Sequence, residues 1–331
     1  MMASWCALAF FCLAFFCHGA QSCPLHCKCY YRSTEVVCND SPLTEYPSSG
    51  FQRNTTLMTI QFTNITSISE HHLSATPMLK GLHVYSNQLQ NLSSHLLRGT
   101  PHLDTLDLTG NKVSELPADV FSHAPLINLV LKNNLIEKAE AKWLPDNSNI
   151  TWLDLSGNRI TQVPAALLQK LPHLDNLDLG NNRLEKISAN SLDSLPKLER
   201  LNLRNNKLST LDASIFQNTH NLTYLFLNRN KLQKLPQNLF QGLDQLSVVS
   251  LDDNQLSHVP AGFLDPLSSL DEEALDLSGN PWQCDGKMAY LWRWMLKNKD
   301  KVYLPESVIC AAPPSLVGRS VISLKESELN L

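Results

Sequence analysis

Apolar and polar residues alternate with a short period along most of the chain, and each alternating run ends in an asparagine. The motif is Leu-x-x-Leu-x-Leu-x-x-Asn, and between residues 79 and 256 successive asparagines lie 23 or 24 residues apart. A period of two predicts short strands whose leucines face inward and whose intervening residues face outward. Internal repeats of this length predict stacked units that share one continuous core. The eight asparagines are Asn87, Asn111, Asn134, Asn158, Asn182, Asn206, Asn230 and Asn254, and a ninth copy of the motif ends at Asn280.

Each repeat carries a second apolar residue ten positions after its asparagine. We expect the asparagine amide to satisfy backbone groups where the chain turns away from the strand, because a buried bend needs hydrogen-bond partners. The second apolar residue would then fill the convex side of the stack. An array of amphipathic helices is the alternative, but it requires a period of 3.6. These apolar residues are Leu97, Phe121, Leu144, Leu168, Leu192, Phe216, Phe240 and Leu264.

The repeated motif resembles that of extracellular leucine-rich-repeat proteins. The resemblance implies an α/β solenoid, a leucine-rich-repeat horseshoe with a parallel β-sheet on the concave face and disulfide-bonded caps. We expect about ten strands, one per repeat, including atypical copies at both ends. The sequence of residues 57–68 is consistent with a degenerate first repeat, and the segment 136–149 is irregular. The predicted organisation is a signal peptide at 1–20, a cysteine-rich N-terminal cap at 23–56, repeats at 57–280 and a C-terminal cap at 281–331.

An apolar run near the start of the chain predicts export from the cell. Residues 5–17, WCALAFFCLAFFC, are too few to span a bilayer and suit the core of a signal peptide. No later stretch is long and apolar enough for a membrane anchor. The formal charge is −4, so the chain lacks the net positive charge that is typical of proteins that bind nucleic acid. We therefore expect a secreted, extracellular protein that does not bind nucleic acid.

Six cysteines remain after the predicted signal peptide, and an even number in an exported chain predicts disulfides. Four of them lie within residues 23–38, where the family resemblance implies two interlaced bridges. A zinc site is the alternative, although an oxidising compartment favours disulfides over thiolate ligands. The implied bridges are Cys23–Cys29 and Cys27–Cys38, and we expect Cys284 to pair with Cys310 in the C-terminal cap.

The C-terminal cap contains a predicted amphipathic helix. Met288, Leu291 and Met295 share one helical face, and Asp285 can cap the start of the helix. We expect this face to cover the last repeat; a basic, aromatic membrane-binding helix is the alternative. The cap sequence DLSGNPWQCDGKMAYLWRWMLKNKDK resembles that of secreted plasma glycoproteins of the leucine-rich-repeat class. This resemblance implies binding to components of transforming growth factor beta signalling, such as the accessory receptor endoglin, and to cytochrome c.

Six Asn-x-Ser/Thr sequons are candidates for N-glycosylation. Four of the six precede residue 92, so sugar would crowd the N-terminal third of the chain. The candidate asparagines are Asn39, Asn54, Asn64, Asn91, Asn149 and Asn221.

The sequence has none of the usual motifs of an enzyme: no phosphate-binding glycine loop, no metal-binding histidine pair and no nucleophile elbow. Aspartates occupy the outward position of several strands, and on adjacent strands their carboxylates would lie about 4.8 Å apart, so calcium binding or acid–base chemistry is one interpretation. The alternative is structural, because aspartate is usual there in such repeats, and Asp178 would pair with Arg200 or Arg204. We expect no catalytic residue, no metal and no cofactor. The aspartates are Asp107, Asp154, Asp178 and Asp276.

Outward strand positions that the motif leaves free carry aromatic and basic residues, the types that dominate interface energetics. Arg200 and Arg204 on one strand and Tyr224 and Phe226 on the next form one predicted patch. An outward Phe226 is unfavourable unless a partner covers it. The alternative is that these side chains only stack on one another. The candidate binding residues are Tyr85, Lys132, Trp152, Arg200, Arg204, Tyr224, Phe226 and Arg229.

The sequence therefore predicts a secreted, monomeric glycoprotein that binds other proteins through its concave face. The implied pathway is transforming growth factor beta receptor signalling. An innate-immune or extracellular-matrix leucine-rich-repeat protein is the alternative, and pull-down from plasma or endothelial lysate would separate the two.

Overall fold

The computed structural model describes residues 23–329, so the predicted signal peptide at 1–20 lies outside the described residues. Twelve strands form one sheet in which spatial neighbours follow chain order. Ten of these strands come from the repeats, one each, and run parallel, as predicted. Two further strands from the N-terminal cap were not predicted; Glu35–Asn39 is parallel to the first repeat strand, and Lys28–Tyr30 is antiparallel to Glu35–Asn39. The repeat strands are Leu57–Gln61, Gly81–Tyr85, Thr105–Asp107, Asn128–Val130, Trp152–Asp154, Asn176–Asp178, Arg200–Asn202, Tyr224–Phe226, Val248–Ser250 and Leu275–Asp276.

The repeat spacing determines the register of the sheet. Leu177 pairs with Leu201, and Leu201 pairs with Leu225, so equivalent residues form columns across the strands. The inward leucines of these strands are fully buried. Because side chains alternate along a strand, the residues between the leucines form matching columns on the concave face. The fold is thus a leucine-rich-repeat solenoid whose sheet presents ordered rows of side chains.

The convex side is built from short helical turns and loops around a second row of buried residues. All eight predicted convex residues, from Leu97 to Leu264, are at most 2% exposed. The irregular segment 136–149 forms a short 3₁₀ helix that buries Trp143. Small two-stranded sheets pair Ser67–Ile68 with Asn91–Leu92 and Trp282–Gln283 with Cys310–Ala312. The α-helices are Glu70–Leu73, Ala165–Leu168 and Ala289–Lys297, and the 3₁₀ helices are Leu96–Gly99, Ala141–Trp143, Gly286–Met288, Lys299–Lys301, Pro305–Ser307, Val321–Ser323 and Glu326–Leu329.

A ladder of asparagine side chains links each repeat to its neighbour. The Nδ2 of Asn206 donates to the carbonyl oxygens of Leu179 and Leu203, both at 3.0 Å, and its Oδ1 accepts from the amide of Leu184 at 3.0 Å. The same three-way arrangement recurs at Asn182 and Asn230. All nine motif asparagines are buried. Each therefore satisfies backbone groups that the bend would otherwise leave without partners, as the sequence predicts.

Both ends of the stack are closed by disulfide-bonded caps. The bridges are Cys23–Cys29, Cys27–Cys38 and Cys284–Cys310, the same pairs that the sequence analysis expected. The four N-terminal cysteines are thus bonded to one another rather than available as zinc ligands.

The C-terminal helix covers the last repeat with the face that was predicted. Met288, Leu291 and Met295 are buried against the core, and the side chain of Asp285 accepts from the amide of Lys287 at the helical start. Trp282 is fully buried, and its Nε1 donates to the carbonyl of Leu277 at 3.0 Å. Within residues 23–329 no helix has the length and apolar character that a membrane crossing needs.

We predict that Asn206→Asp destabilises the stack in a pH-dependent manner. An ionised carboxylate cannot donate to the two carbonyl oxygens, and an unsatisfied buried polar group costs about 1–3 kcal/mol. Those carbonyls would raise the pKa of the new aspartate in the folded state. The extra loss is therefore absent below about pH 3.9, the unfolded pKa, and grows as the pH rises from there to the folded pKa, above which it is constant.

Urea unfolding at pH 4 and pH 7, each compared with the wild-type chain, measures this difference. Asn218→Asp is the control, because Asn218 is exposed and outside the ladder. Equal destabilisation by both variants at pH 7 would contradict the ladder's role.

Candidate protein-binding surface

A cation and two aromatic rings meet at the centre of the predicted patch. Arg200 pairs in register with Tyr224 on the next strand, and Asn202 pairs with Phe226. The guanidinium carbon of Arg200 lies 4.5 Å from the centre of the Phe226 ring and 5.7 Å from that of Tyr224. Both distances are within the range of cation–π attraction. The guanidinium is therefore in cation–π contact with both rings, one of which, Tyr224, is 38% exposed.

Two further arginines, Arg204 and Arg229, lie just beyond the ends of these two strands and differ in their partners. Arg204 is exposed, and among residues 23–329 it has no ion-pair partner within 4 Å. Arg229 forms an ion pair with Asp253, with 3.3 Å between Nε and Oδ2. Arg204 is thus the basic group of the patch that is free to pair with an added carboxylate.

Trp152 extends the patch along the sheet. It pairs in register with Asn176, which pairs with Arg200, so Trp152 lies in the same row as Arg200 and Tyr224. Three strand spacings of about 4.8 Å separate Trp152 from Tyr224. Trp152 is 42% exposed, and so is the adjacent Ile127, which sequence reasoning missed. Ile127 directly follows the first leucine position of its repeat and precedes the strand Asn128–Val130, so the period of two along the strand does not predict which way it faces.

Two predicted binding residues lie apart from this row. Tyr85 belongs to a strand several repeats earlier and contacts the edge of His83, with 6.0 Å between ring centres. Lys132 is close enough to the Asp154 carboxylate to favour its charged form. The structure therefore brings together Trp152 and the residues around Arg200, but neither Tyr85 nor Lys132.

The outward aspartates have a structural role. The Oδ1 of Asp154 accepts from the amide of Ser156 at 2.8 Å, and Asp107, Asp178 and Asp276 make the same contact two residues ahead. The expected pairing of Asp178 with an arginine is wrong. Its Oδ2 instead accepts from Nδ2 of Asn202 at 2.9 Å, while Arg200 stacks on the rings. Among the residues described, no three His, Cys, Asp or Glu side chains are arranged to hold a metal ion.

Two of these aspartates have pKa shifts of opposite sign. Burial raises the pKa of Asp154, and the nearby Asp178 carboxylate adds to this effect against the hydrogen bonds from Ser156. Burial alone would also raise the pKa of Asp107, but hydrogen bonds from His83 and Thr109 outweigh it and lower that pKa. At this motif position the folded protein therefore disfavours the ionised carboxylate of Asp154 and favours that of Asp107.

All six candidate glycosylation asparagines are exposed. Asn54, Asn149 and Asn221 occupy equivalent positions just before a repeat strand, so they lie along one edge of the sheet. Asn221 precedes Tyr224 by three residues and borders the patch.

Comparison with known proteins agrees with this architecture. A family model described as Leucine rich repeat matches residues 53–113, 101–160, 124–184, 148–208, 172–232, 196–256 and 220–281. These overlapping matches cover every repeat strand of the sheet.

Three relatives match over short segments. A phospholipase A2 inhibitor from Gloydius brevicaudus siniticus is 38% identical over 56 residues, which are 17% of this chain and 17% of that protein. Phospholipase A2 inhibitor beta from Elaphe climacophora matches with the same identity and coverage. Human carboxypeptidase N subunit 2 is 44% identical over 55 residues, 17% of this chain and 10% of that protein. The matched segments thus span less than a fifth of each relative.

We predict that two equivalent substitutions change stability in opposite directions at neutral pH. Asn202 shows that an asparagine keeps the structural contact, because its Oδ1 accepts from the amide of Arg204 at 3.0 Å. Asp154→Asn should raise the melting temperature at pH 7, because it removes a carboxylate whose folded pKa is raised. Asp107→Asn should lower it, because that carboxylate is stabilised in its charged form.

Thermal unfolding across pH checks both signs. The ionisation cost of Asp154 is absent below about pH 3.9, and the favourable contribution of Asp107 is lost as the pH falls through its lowered pKa. Both differences from the wild-type chain should therefore shrink in acid. Shifts of the same direction in the two variants at pH 7 would show that the assigned environments are wrong.

Proposed function

The chain belongs to the leucine-rich-repeat family, and from this premise we propose that it is a secreted protein that binds other proteins through its concave face. The names of its relatives support protein binding, since two are inhibitors of phospholipase A2 and one is a subunit of carboxypeptidase N. Three disulfides suit an oxidising, extracellular compartment. The signal peptide at 1–20 and sugars on the exposed sequons are part of the same proposal.

The proposal rests on the stacking of Arg200 on Tyr224 and Phe226. None of these residues is required by the repeat, and none fills the core. Their mutual contacts hold three large side chains in place before any partner arrives, which reduces the entropy lost on binding. Rigid aromatic and arginine anchors of this type are the residues that dominate protein interfaces.

The unpaired Arg204 and the stacked Arg200 favour a partner with an acidic surface. Complementary charge would steer association and fix orientation, with less effect on the final affinity. Trp152 in the same row provides a second apolar anchor within reach of one partner. The proposed interface is therefore the row from Trp152 to Tyr224, together with Phe226, across four neighbouring strands.

We further propose that the partner is a component of transforming growth factor beta receptor signalling, with endoglin as the first candidate and cytochrome c as a second protein ligand. The support is a resemblance to leucine-rich alpha-2-glycoprotein, a secreted plasma protein. It rests on the C-terminal cap from DLSGNPWQCDGKMAYLWRWMLKNKDK to ICAAPPSLVGRSV and on the repeat segment YLFLNRNKL. In this role the chain would act without catalysis, by occupying a receptor surface.

The test is the binding of the secreted chain to immobilised endoglin ectodomain and to cytochrome c by surface plasmon resonance. The double substitution Tyr224→Ala with Phe226→Ala should weaken binding by at least about tenfold, since such anchors are worth about 2 kcal/mol or more each. Secretion and melting temperature should be retained, because both side chains lie outside the core. Arg204→Glu should mainly slow association, with the largest effect at low salt.

Tyr303→Ala is the matched control, because Tyr303 is 44% exposed but lies in the C-terminal cap. Its affinity should equal that of the wild-type chain. Unchanged binding by the double variant would exclude the patch as the site. Failure to bind endoglin and cytochrome c, together with capture of collagen, would overturn the proposed pathway and favour a matrix-binding role.

A further inference from the structure

A second recess lies on the C-terminal cap and shares no residue with the concave patch. It is an open cleft of about 820 Å³ between the convex loop of the last repeat and the helix Ala289–Lys297. Its apolar floor includes Leu264, Leu267, Tyr290 and Trp294. Its volume is comparable to that of many binding pockets in proteins.

Specific hydrogen bonds fix the two walls of the cleft. The hydroxyl of Tyr290 on the helix accepts from the amide of Leu264 at 2.8 Å and donates to Oδ1 of Asp265 at 2.9 Å. At the far end, Nζ of Lys301 donates to the carbonyl of Leu270 at 2.8 Å. The helix is thus tied to the convex loop at Tyr290, and the 3₁₀ turn that follows the helix is tied to the carbonyl of Leu270, so the cleft is preformed.

The rim of the cleft is strongly basic. Four cationic side chains line it, against a single carboxylate, Asp265, that is already engaged by Tyr290. Lys287 and Lys297 are exposed and, within the described part of the chain, have no ion-pair partner within 4 Å. Arg293 pairs with Glu326 at 3.1 Å, but both side chains are largely exposed, and such surface pairs exchange at little cost. Lys287 lies close enough to the Asp285 carboxylate to help lower its pKa, although the two form no ion pair within 4 Å. The residues that line the cleft nevertheless carry a net positive charge.

The spacing of the cations constrains the chemistry of the occupant. Lys287 and Lys297 are ten residues apart on a largely helical segment, or about 15 Å at 1.5 Å per residue, with Arg293 between them. A single carboxylate or phosphate group cannot contact all three. A sulfated polysaccharide could follow the charges, but it has no apolar side chains for the floor formed by Tyr290 and Trp294. An extended polypeptide satisfies both features.

We propose that this cleft binds an acidic peptide segment of a partner protein. Carboxylates of the segment would pair with Lys287, Arg293 and Lys297, and apolar side chains between them would contact Tyr290 and Trp294. The cap would then provide a binding site in addition to the concave patch. The two sites share no residues, so a test can exclude binding at one of them without excluding binding at the other.

The test uses the full secreted chain and a labelled synthetic peptide in which glutamate alternates with leucine, with fluorescence anisotropy at physiological salt. The double substitution Lys287→Glu with Lys297→Glu should weaken binding by at least about tenfold, because it replaces attraction with like-charge repulsion at two positions. Both lysines are exposed, so the melting temperature should be unchanged. The matched control, Lys231→Glu with Lys234→Glu, makes the same charge change on exposed residues outside the cleft and should leave affinity intact.

Two comparison probes separate the peptide from other polyanions. A peptide of glutamate and serine lacks apolar side chains and should bind at least about tenfold more weakly than the glutamate–leucine peptide if the floor contributes. Heparin should compete poorly. Equal binding of all three probes, equal losses in the two lysine variants, or no binding of the glutamate–leucine peptide would each overturn the proposal.

Discussion

The structure depends on the buried side-chain amide that closes each repeat. A chain that turns sharply at the end of every strand leaves backbone donors and acceptors inside the core, where unpaired polar groups are unfavourable. Asn206 and its equivalents meet this need by bonding to two carbonyl oxygens and one amide across neighbouring repeats. Because the contact joins adjacent repeats, it also sets their spacing and the register of the sheet. Serine or aspartate could not both donate twice and accept once in this way.

The register of the sheet separates positions that stabilise the fold from positions whose side chains are available to contact a partner. The outward aspartates such as Asp154 and Asp178 face the concave side, yet their carboxylates hold the backbone at the strand ends. The row from Trp152 through Arg200 to Tyr224 makes no comparable contribution to the fold. Its stacked cation and rings are paired with one another and remain partly open to a partner. Equivalent positions of successive repeats are neighbours in the parallel sheet. Outward residues that differ from the repeat motif in successive repeats therefore form one continuous surface.

Much of this architecture follows from local pattern. The inward leucines, the ladder asparagines and the convex row could be predicted because each repeat imposes the same requirement on its neighbours. Contacts between particular side chains could not be predicted from the repeat pattern. Asn202 rather than an arginine engages Asp178, and hydrogen bonds from His83 and Thr109 together reverse the effect of burial on the pKa of Asp107. The basic cleft of the cap was also not predicted, because it forms only where the last helix meets the convex loop of residues 261–268.

We propose that a protein partner binds at the stacked patch on the concave face. Hydroxyl-radical footprinting of the secreted chain, alone and with endoglin ectodomain, measures the exposure of each side chain in the complex. We predict reduced oxidation of Trp152, Tyr224 and Phe226 on binding, with the oxidation of Tyr303 in the C-terminal cap unchanged. Unchanged oxidation of the concave residues in a demonstrated complex, with protection confined to other faces, would contradict it.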